Sequence, residues 1–423
     1  MFPVRWMEKR MFDHWTLSNG LHVVGERLPY LRSVSIGVWL RVGSMMELPR
    51  ENGLSHFLEH MVFKGTEKRN TRQIAEEMDA VGGQLNAFTG KDCTCFYAKV
   101  IDEDLPLAVD ILSDMTLHAT LDEGELNKER GVILEEISME EDSPEDVVHE
   151  LLSRVQFGDQ AAGMPILGPA EQIAAYTRGD LAAYRAKHYH PENCVVALAG
   201  NYVPEKVLAL MEEFFGGWES AGQGEALPPM APLTGKQAAK EKDTEQLHLC
   251  LGFPGTKLGS DELYPLSIMN NLLGGAMSSR LFQKIREEMG MAYSIYTYPS
   301  TYVGCGTFAV YAGVSPKNGH AVLEETLRQL ELLRREGVSE KEFREAKNQL
   351  RGSYLLGLES PGGRMQSMGR GQLHLGQCMT PEETIAKIEA VTQADVNAVA
   401  ERIFAAEPCL SVVGKNASVY LAR

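Results

Sequence analysis

At 423 residues, 44% of them apolar and 23% charged, the chain has the length for two or more domains, each with its own core. A formal charge of −17 with no basic cluster argues against nucleic acid as a partner, because nothing is there to neutralise phosphates. No uninterrupted apolar run of about 18 residues is present to span a membrane.

Seven cysteines, an odd number, fit a reducing compartment better than a disulfide framework, and Cys93 and Cys95 sit too close in an apparent strand to form a staple. The opening, MFPVRWMEKRMFDHW, lacks the apolar core and cleavage site of a secretory signal and the Arg-rich, Ser-rich character of a transit segment. A cytoplasmic location is expected. The acidity suits solubility, or attraction of basic peptides where it lines a cavity.

In chain order, WTLSNGLHVVGERL reads as a hairpin with Asn19 and Gly20 at its turn. In SVSIGVWLRVG, Val34, Ile36, Val38, Leu40 and Val42 alternate with other residues, predicting a half-buried strand. From Glu51 the period changes: Leu54, Phe57, Leu58, Met61 and Val62 recur at helical spacing. GGQLNAFTGKDCTCFYAKV returns to strand character, and residues 104–156 read as two or three helices. The stretch from Gly216 to Glu245 is rich in Gly, Pro, Ala and charge and marks a boundary. Domains are therefore expected at 1–216 and 246–423, joined by a linker at 217–245.

Beyond the linker the first half's pattern returns. TYVGCGTFAVYAGV echoes DCTCFYAKV, and GHAVLEETLRQLELLRREGVSEKEFREAKNQL echoes LPLAVDILSDMTLHATLDEGELNKERGVIL. This suggests a duplicated unit. The expected fold class is α+β: two homologous domains, each a mostly antiparallel sheet with helices packed on one side.

Chemistry concentrates in LSHFLEHMVFKGT. His56 and His60 are four apart, so a helix puts both imidazoles on one face, off the apolar stripe, as two ligands of one ion require. Neutral imidazole suits zinc, and Glu59, beside the second histidine, is placed to accept a proton from an attacking water; the order inverts the commoner HExxH arrangement. The plainer reading is an amphipathic helix with two solvated histidines. A third ligand is best sought in ELNKERGVILEEISMEE, where Glu129 and Glu136 are two helical turns apart. Spacing alone leaves Glu135, Glu136 and Glu140 open.

HFLEH, FKGT, LNAFT and ERGVILEEI together resemble the M16 peptidases, the group of insulysin, pitrilysin and the mitochondrial processing peptidase. The resemblance spans nearly the whole chain and implies that family's M16 peptidase/LuxS-like fold. In that family the third ligand follows the second histidine by about 76 residues, and Glu136 stands 76 positions after His60. The resemblance thus implies Glu136 as ligand and Glu129 as the carboxylate that supports a ligand. By the same resemblance, the strand around Asn86, Ala87 and Phe88 is an exposed edge to which a peptide adds as an extra strand.

Laying NNLLGGA on HMVFKGT sets His56, Glu59 and His60 opposite Leu266, Met269 and Asn270, with Glu129 and Glu136 near Ala346 and Ser353. No metal site survives there, so one zinc per chain is expected. SSRLFQKIREEMGMAYSIYTY resembles the family's C-terminal motif, which implies that Arg286 and Tyr293 contact substrate near the scissile bond, where they could donate to a developing oxyanion. Without the resemblance they read as a surface ion-pair residue and a core tyrosine. His188 and His190, two apart at a strand entrance, are expected to be structural.

The expected function is a zinc metalloendopeptidase that hydrolyses unfolded or short peptides in a chamber formed by homodimerisation. The alternative is a non-catalytic peptide-binding or scaffold subunit of a processing-peptidase-like complex.

Overall fold

The structure is a computed structural model that describes residues 11–220, 222 and 229–421. The expectation drawn from the opening residues, and part of the expected linker, fall on residues 1–10, 221 and 223–228 and lie outside the described residues. Two sheets organise the chain. The first contains β1 (Phe12–Thr16), β2 (His22–Arg27), β3 (Ser33–Leu40), β4 (Gln84–Thr89), β5 (Thr94–Ile101) and β6 (Cys194–Gly200), in the order β1-β2-β6-β3-β5-β4. The second contains β7 (Gln237–Glu241), β8 (Leu247–Pro254), β9 (Ala292–Thr301), β10 (Gly306–Val314) and β11 (Cys409–Gly414), in the order β7-β11-β8-β10-β9.

The duplication is visible in the pairing. β2 runs parallel to β6 and β7 parallel to β11, while the remaining ladders are antiparallel. The two orders superpose with β7 on β2, β11 on β6, β8 on β3, β10 on β5 and β9 on β4. The first hairpin forms as its Asn-Gly pair requires: Gly20 takes φ +91° and the Leu17 N–H donates to the Leu21 carbonyl at 2.9 Å. β7 corrects the expected linker, since residues 237–241 lie within 217–245 yet pair with β11. Its sequence, QAAKE, carries no strand signal, and its partner lies far along the chain.

Each sheet packs one face on its own helices, and each half has a large apolar core there. The opposite face is covered by a helix from the other half. Pro144–Phe157 packs on β8 and β11, with Val147, Val148 and Leu152 against Cys250, Tyr311 and Val413. Reciprocally, Pro361–Leu375 packs on β6, β3 and β2, with Met365, Met368 and Leu373 against Trp39, Val195 and Ala197. This exchange overturns the expectation of a half-buried β3: Ser35, Gly37 and Trp39 are buried along with Val34, Ile36, Val38 and Leu40. The contact is close. A Cβ on Gly369 would lie 2.2 Å from Trp39 Nε1, and one on Gly37 would lie 2.7 Å from Met365 Sδ, so only glycine lets helix and strand approach. Among the described residues no helix is long and apolar enough to cross a membrane.

Candidate metal centre

The HxxEH segment lies on the helix Leu54–Val62. Leu54, Phe57, Leu58, Met61 and Val62 are buried, as their period predicts, and His56, Glu59 and His60 are only half-buried. The helix begins at Gly53, whose φ of +97° sits against Leu167 and Ile173, where a Cβ would meet atoms at 2.7 Å. A residue outside the motif holds this start in place. Buried Glu47 accepts from Asn52 Nδ2 and the Gly53 N–H at 2.8 Å and from the Ser55 N–H at 2.7 Å. A carboxylate on the first amides of a helix satisfies donors that have no partner within it. Burial nevertheless raises the pKa of Glu47 above the usual carboxylate value.

The second contributor is the helix Glu123–Asp142, capped by the Asp122 side chain and anchored by buried Leu126 and Ile133. Two turns separate Glu129 from Glu136, and both reach the motif helix. Glu136 Oε2 lies 3.5 Å from His60 Nε2 and 3.8 Å from His56 Nε2. Glu129 Oε2 lies 3.1 Å from His60 Nδ1, and its other oxygen accepts from Lys64 Nζ at 2.6 Å. Of the three glutamates that spacing leaves open, geometry brings Glu136 to the histidines. Glu135 is exposed, and Glu140 faces Glu150, Asp146 and Lys91, its carboxyl raised to about 7 by burial and then by the neighbouring acids.

The group fits zinc by its donor set. One atom from each of His56, His60 and Glu136 falls within 4.8 Å of the others. A tetrahedral ion with bonds of about 2.1 Å spaces its donors roughly 3.4 Å apart, close to the separations found. His56 is pushed down to about 3, by burial and then by His60, which keeps the imidazole neutral with its lone pair free. Its Nδ1 is buried without a hydrogen-bond partner among the described residues. Glu129 sits on the nitrogen of His60 opposite the one facing Glu136, the arrangement that fixes a ligating ring.

Glu59 is held from the edge strand: its Oε2 accepts from Thr89 Oγ1 at 2.5 Å. Burial raises its pKa, and the Thr89 hydrogen bond and His60 partly oppose this. Thr89 and Lys64 are contacts that residue-by-residue reading missed, although both lie inside the segments LNAFT and FKGT. Asn86, Ala87 and Phe88 lie on β4, the terminal strand of its sheet, which pairs on one side only, with β5. Among the described residues no strand pairs with its outer side, although the Ala87 N–H donates to Asn86 Oδ1 at 2.8 Å.

Arg286 and Tyr293 are brought together in the second half. The Arg286 guanidinium lies 4.6 Å from the Phe282 ring centroid and 5.3 Å from that of Tyr293. Tyr293 is 76% exposed, not core. Among the described residues no hydrogen bond or ion pair joins either to His56, Glu59, His60 or Glu136. In the second copy Leu266 and Met269 are buried, while Asn270 Oδ1 accepts from Thr297 Oγ1 on β9 at 2.8 Å. That bond also ties the helix to its edge strand, but from the position opposite His60; the position opposite Glu59 is the buried, apolar Met269. His188 and His190 are buried; His190 Nδ1 meets Glu192 at 3.1 Å, and Asn193 Nδ2 donates to the His188 carbonyl at 2.9 Å.

Fold and site together define a duplicated α+β protein whose first half brings two imidazoles and a carboxylate together and whose second half carries none of these residues at the matching positions. The chain belongs to the M16 peptidase family. Residues 22–170 match the family described as Insulinase (Peptidase family M16), and residues 175–350 match the one described as Peptidase M16 inactive domain. It is 42% identical over 409 residues to the uncharacterized zinc protease YmxG of Bacillus subtilis (strain 168), covering 97% of this chain and 100% of that protein. An uncharacterized zinc protease of Streptomyces coelicolor is also 42% identical, over 94% of this chain and 88% of its own. Among solved structures, a protease from Helicobacter pylori superposes with a TM-score of 0.90 at 21% identity, over 95% of this chain and 99% of that one. At that identity the likeness concerns the fold.

Proposed function

We infer that this protein is a zinc metalloendopeptidase, and the observation that carries the reading is the convergence of His56, His60 and Glu136 beside Glu59. His56 Nε2, His60 Nε2 and Glu136 would hold one catalytic ion per chain, with Glu129 orienting His60. Zinc in such a site supplies Lewis acidity towards a carbonyl and towards water. Glu59 accepts a proton from the attacking water and delivers it to the leaving amine nitrogen as the peptide bond breaks. Its elevated pKa and its tether to Thr89 suit a group that must gain and lose a proton in one orientation.

The substrate is an unfolded or short peptide. It adds as a strand along β4 past Asn86, Ala87 and Phe88, bonding backbone to backbone with little demand on sequence. Arg286 and Tyr293 donate hydrogen bonds to the carbonyl oxygen as charge develops. Because this pair lies in the half without ligands, we assign it to the site of a second copy, in a homodimer that closes a chamber around two composite sites. The exposure of Tyr293 and Met277, at 76% and 75%, supports that surface as one awaiting a partner. A cytoplasmic enzyme of this kind would act on peptides already released from folded proteins.

The test is Glu59→Gln against a quenched peptide library. Bound zinc and fold are retained while hydrolysis falls by a factor of about 100 or more. Unchanged turnover in that variant would remove Glu59 from the role and restore the non-catalytic, peptide-binding alternative.

A further inference from the structure

A second cluster of metal-ligating side chains lies apart from the motif helix, where the two halves meet. Asp92 and Cys93 occupy the turn between β4 and β5, which is closed by the Gly90 N–H donating to the Cys93 carbonyl at 2.8 Å. His374 projects from the exchanged helix Pro361–Leu375. One potential ligand atom from each falls within 4.8 Å of the others, and His374 Nε2 stands 3.6 Å from Asp92 Oδ2. We propose that Asp92, Cys93 and His374 form a second site for a divalent cation of the zinc class, which ties the β4–β5 hairpin of the first half to the crossing helix of the second.

These buried side chains lack the partners such groups normally have. The His374 side chain is 0% exposed and that of Asp92 is 7% exposed, yet neither ring nitrogen of His374 nor Asp92 Oδ2 has a hydrogen-bond partner among the described residues. Buried polar atoms are nearly always paired, and a core histidine ordinarily uses at least one nitrogen. Here two such atoms, His374 Nε2 and Asp92 Oδ2, face each other, and an ion between them satisfies both at once. A separation of 3.6 Å is too long for a hydrogen bond but close to the donor spacing of a tetrahedral ion.

The donor set selects the ion. Sulfur, imidazole nitrogen and a carboxylate oxygen suit zinc and its neighbours, whereas magnesium and calcium want oxygen alone. Thiolate is the ligating form of cysteine, so metal binding at Cys93 releases a proton to solvent. The nearest guanidinium, Arg370, is 3.8 Å from Asp92 Oδ2 but donates to the Thr301 carbonyl at 2.9 Å. It offsets part of the site's negative charge and leaves the donors facing inward.

Cobalt(II) is the probe that separates this site from the first, because His56, His60 and Glu136 include no sulfur. The full-length apoprotein titrated with cobalt should saturate at two ions per chain and develop a near-ultraviolet thiolate-to-cobalt charge-transfer band. Cys93→Ser should bind one ion and lose the band. Glu136→Gln should keep the band while losing the other ion, so failure of this site is distinguishable from failure of the peptidase reading. If Cys93→Ser does not fold, His374→Gln should likewise abolish the second ion. Saturation at one ion without a charge-transfer band, or a band unchanged in both variants, overturns the proposal.

Discussion

Glu129 Oε2 lies 3.1 Å from Nδ1 of His60, whose other nitrogen faces Glu136 at 3.5 Å. A carboxylate on the far side of a ligating ring fixes its tautomer and raises its basicity. Glu129→Gln should therefore weaken zinc binding at this site by about 10-fold with the fold intact. Competition against a chromophoric chelator measures it, and an unchanged affinity would mean that Glu129 serves Lys64 alone.

Thr89→Val should change the pH dependence of hydrolysis. The Thr89 hydroxyl lowers the pKa of Glu59 by bonding its carboxylate, against a burial effect that raises it. Removing the hydroxyl raises that pKa further, so the carboxylate needed as base is lost at a higher pH as the solution is acidified. The acid limb of kcat/KM against pH should move upward. Activity at neutral pH should fall about fivefold, in line with a hydrogen bond of ~1 kcal/mol.

Composite sites predict complementation. Glu59→Gln and Arg286→Ala copies, each nearly inactive alone, should regain activity on mixing once subunits exchange. Half the dimers would then be mixed, each with one intact site, giving about a quarter of the wild-type rate. No recovery, with exchange confirmed by light scattering of tagged copies, would place both halves of each site in a single chain.

The exchanged helices predict mechanical interdependence of the halves. Gly369→Ala forces a methyl to within 2.2 Å of Trp39 Nε1 and should destabilise the protein by about 1–3 kcal/mol. Denaturant unfolding should show one transition that shifts as a whole. Two transitions, with only the second half affected, would show that Pro361–Leu375 is dispensable to the first.

Legibility from sequence followed the distance between partners. The motif helix could be read because Leu54, Phe57, Leu58 and Met61 report burial within a few turns, and the hairpin at Asn19 and Gly20 because its chemistry is local. The duplication was legible for the same reason, since each echo repeats a pattern within one element. Spacing does not choose the third candidate ligand: Glu135, Glu136 and Glu140 share one acidic helix, and only packing turns Glu136 to the histidines, a choice the family resemblance implies. The burial of Ser35, Gly37 and Trp39 depends on a helix more than three hundred residues later. β7 was hidden because its pairing with β11 overrides a composition that reads as linker. Asp92 and Cys93 carried no signal until the same crossing helix brought His374 to them.

In the proposed centre, two imidazoles from one helical turn and a carboxylate from a second helix share one ion. A crystal structure of the zinc-loaded protein, with anomalous data collected at the zinc edge, tests it directly. The expected result is a peak within about 2.2 Å of His56 Nε2, His60 Nε2 and a Glu136 oxygen. A zinc-saturated crystal with no peak at that position, or with an ion there and Glu136 turned away from it, would contradict it.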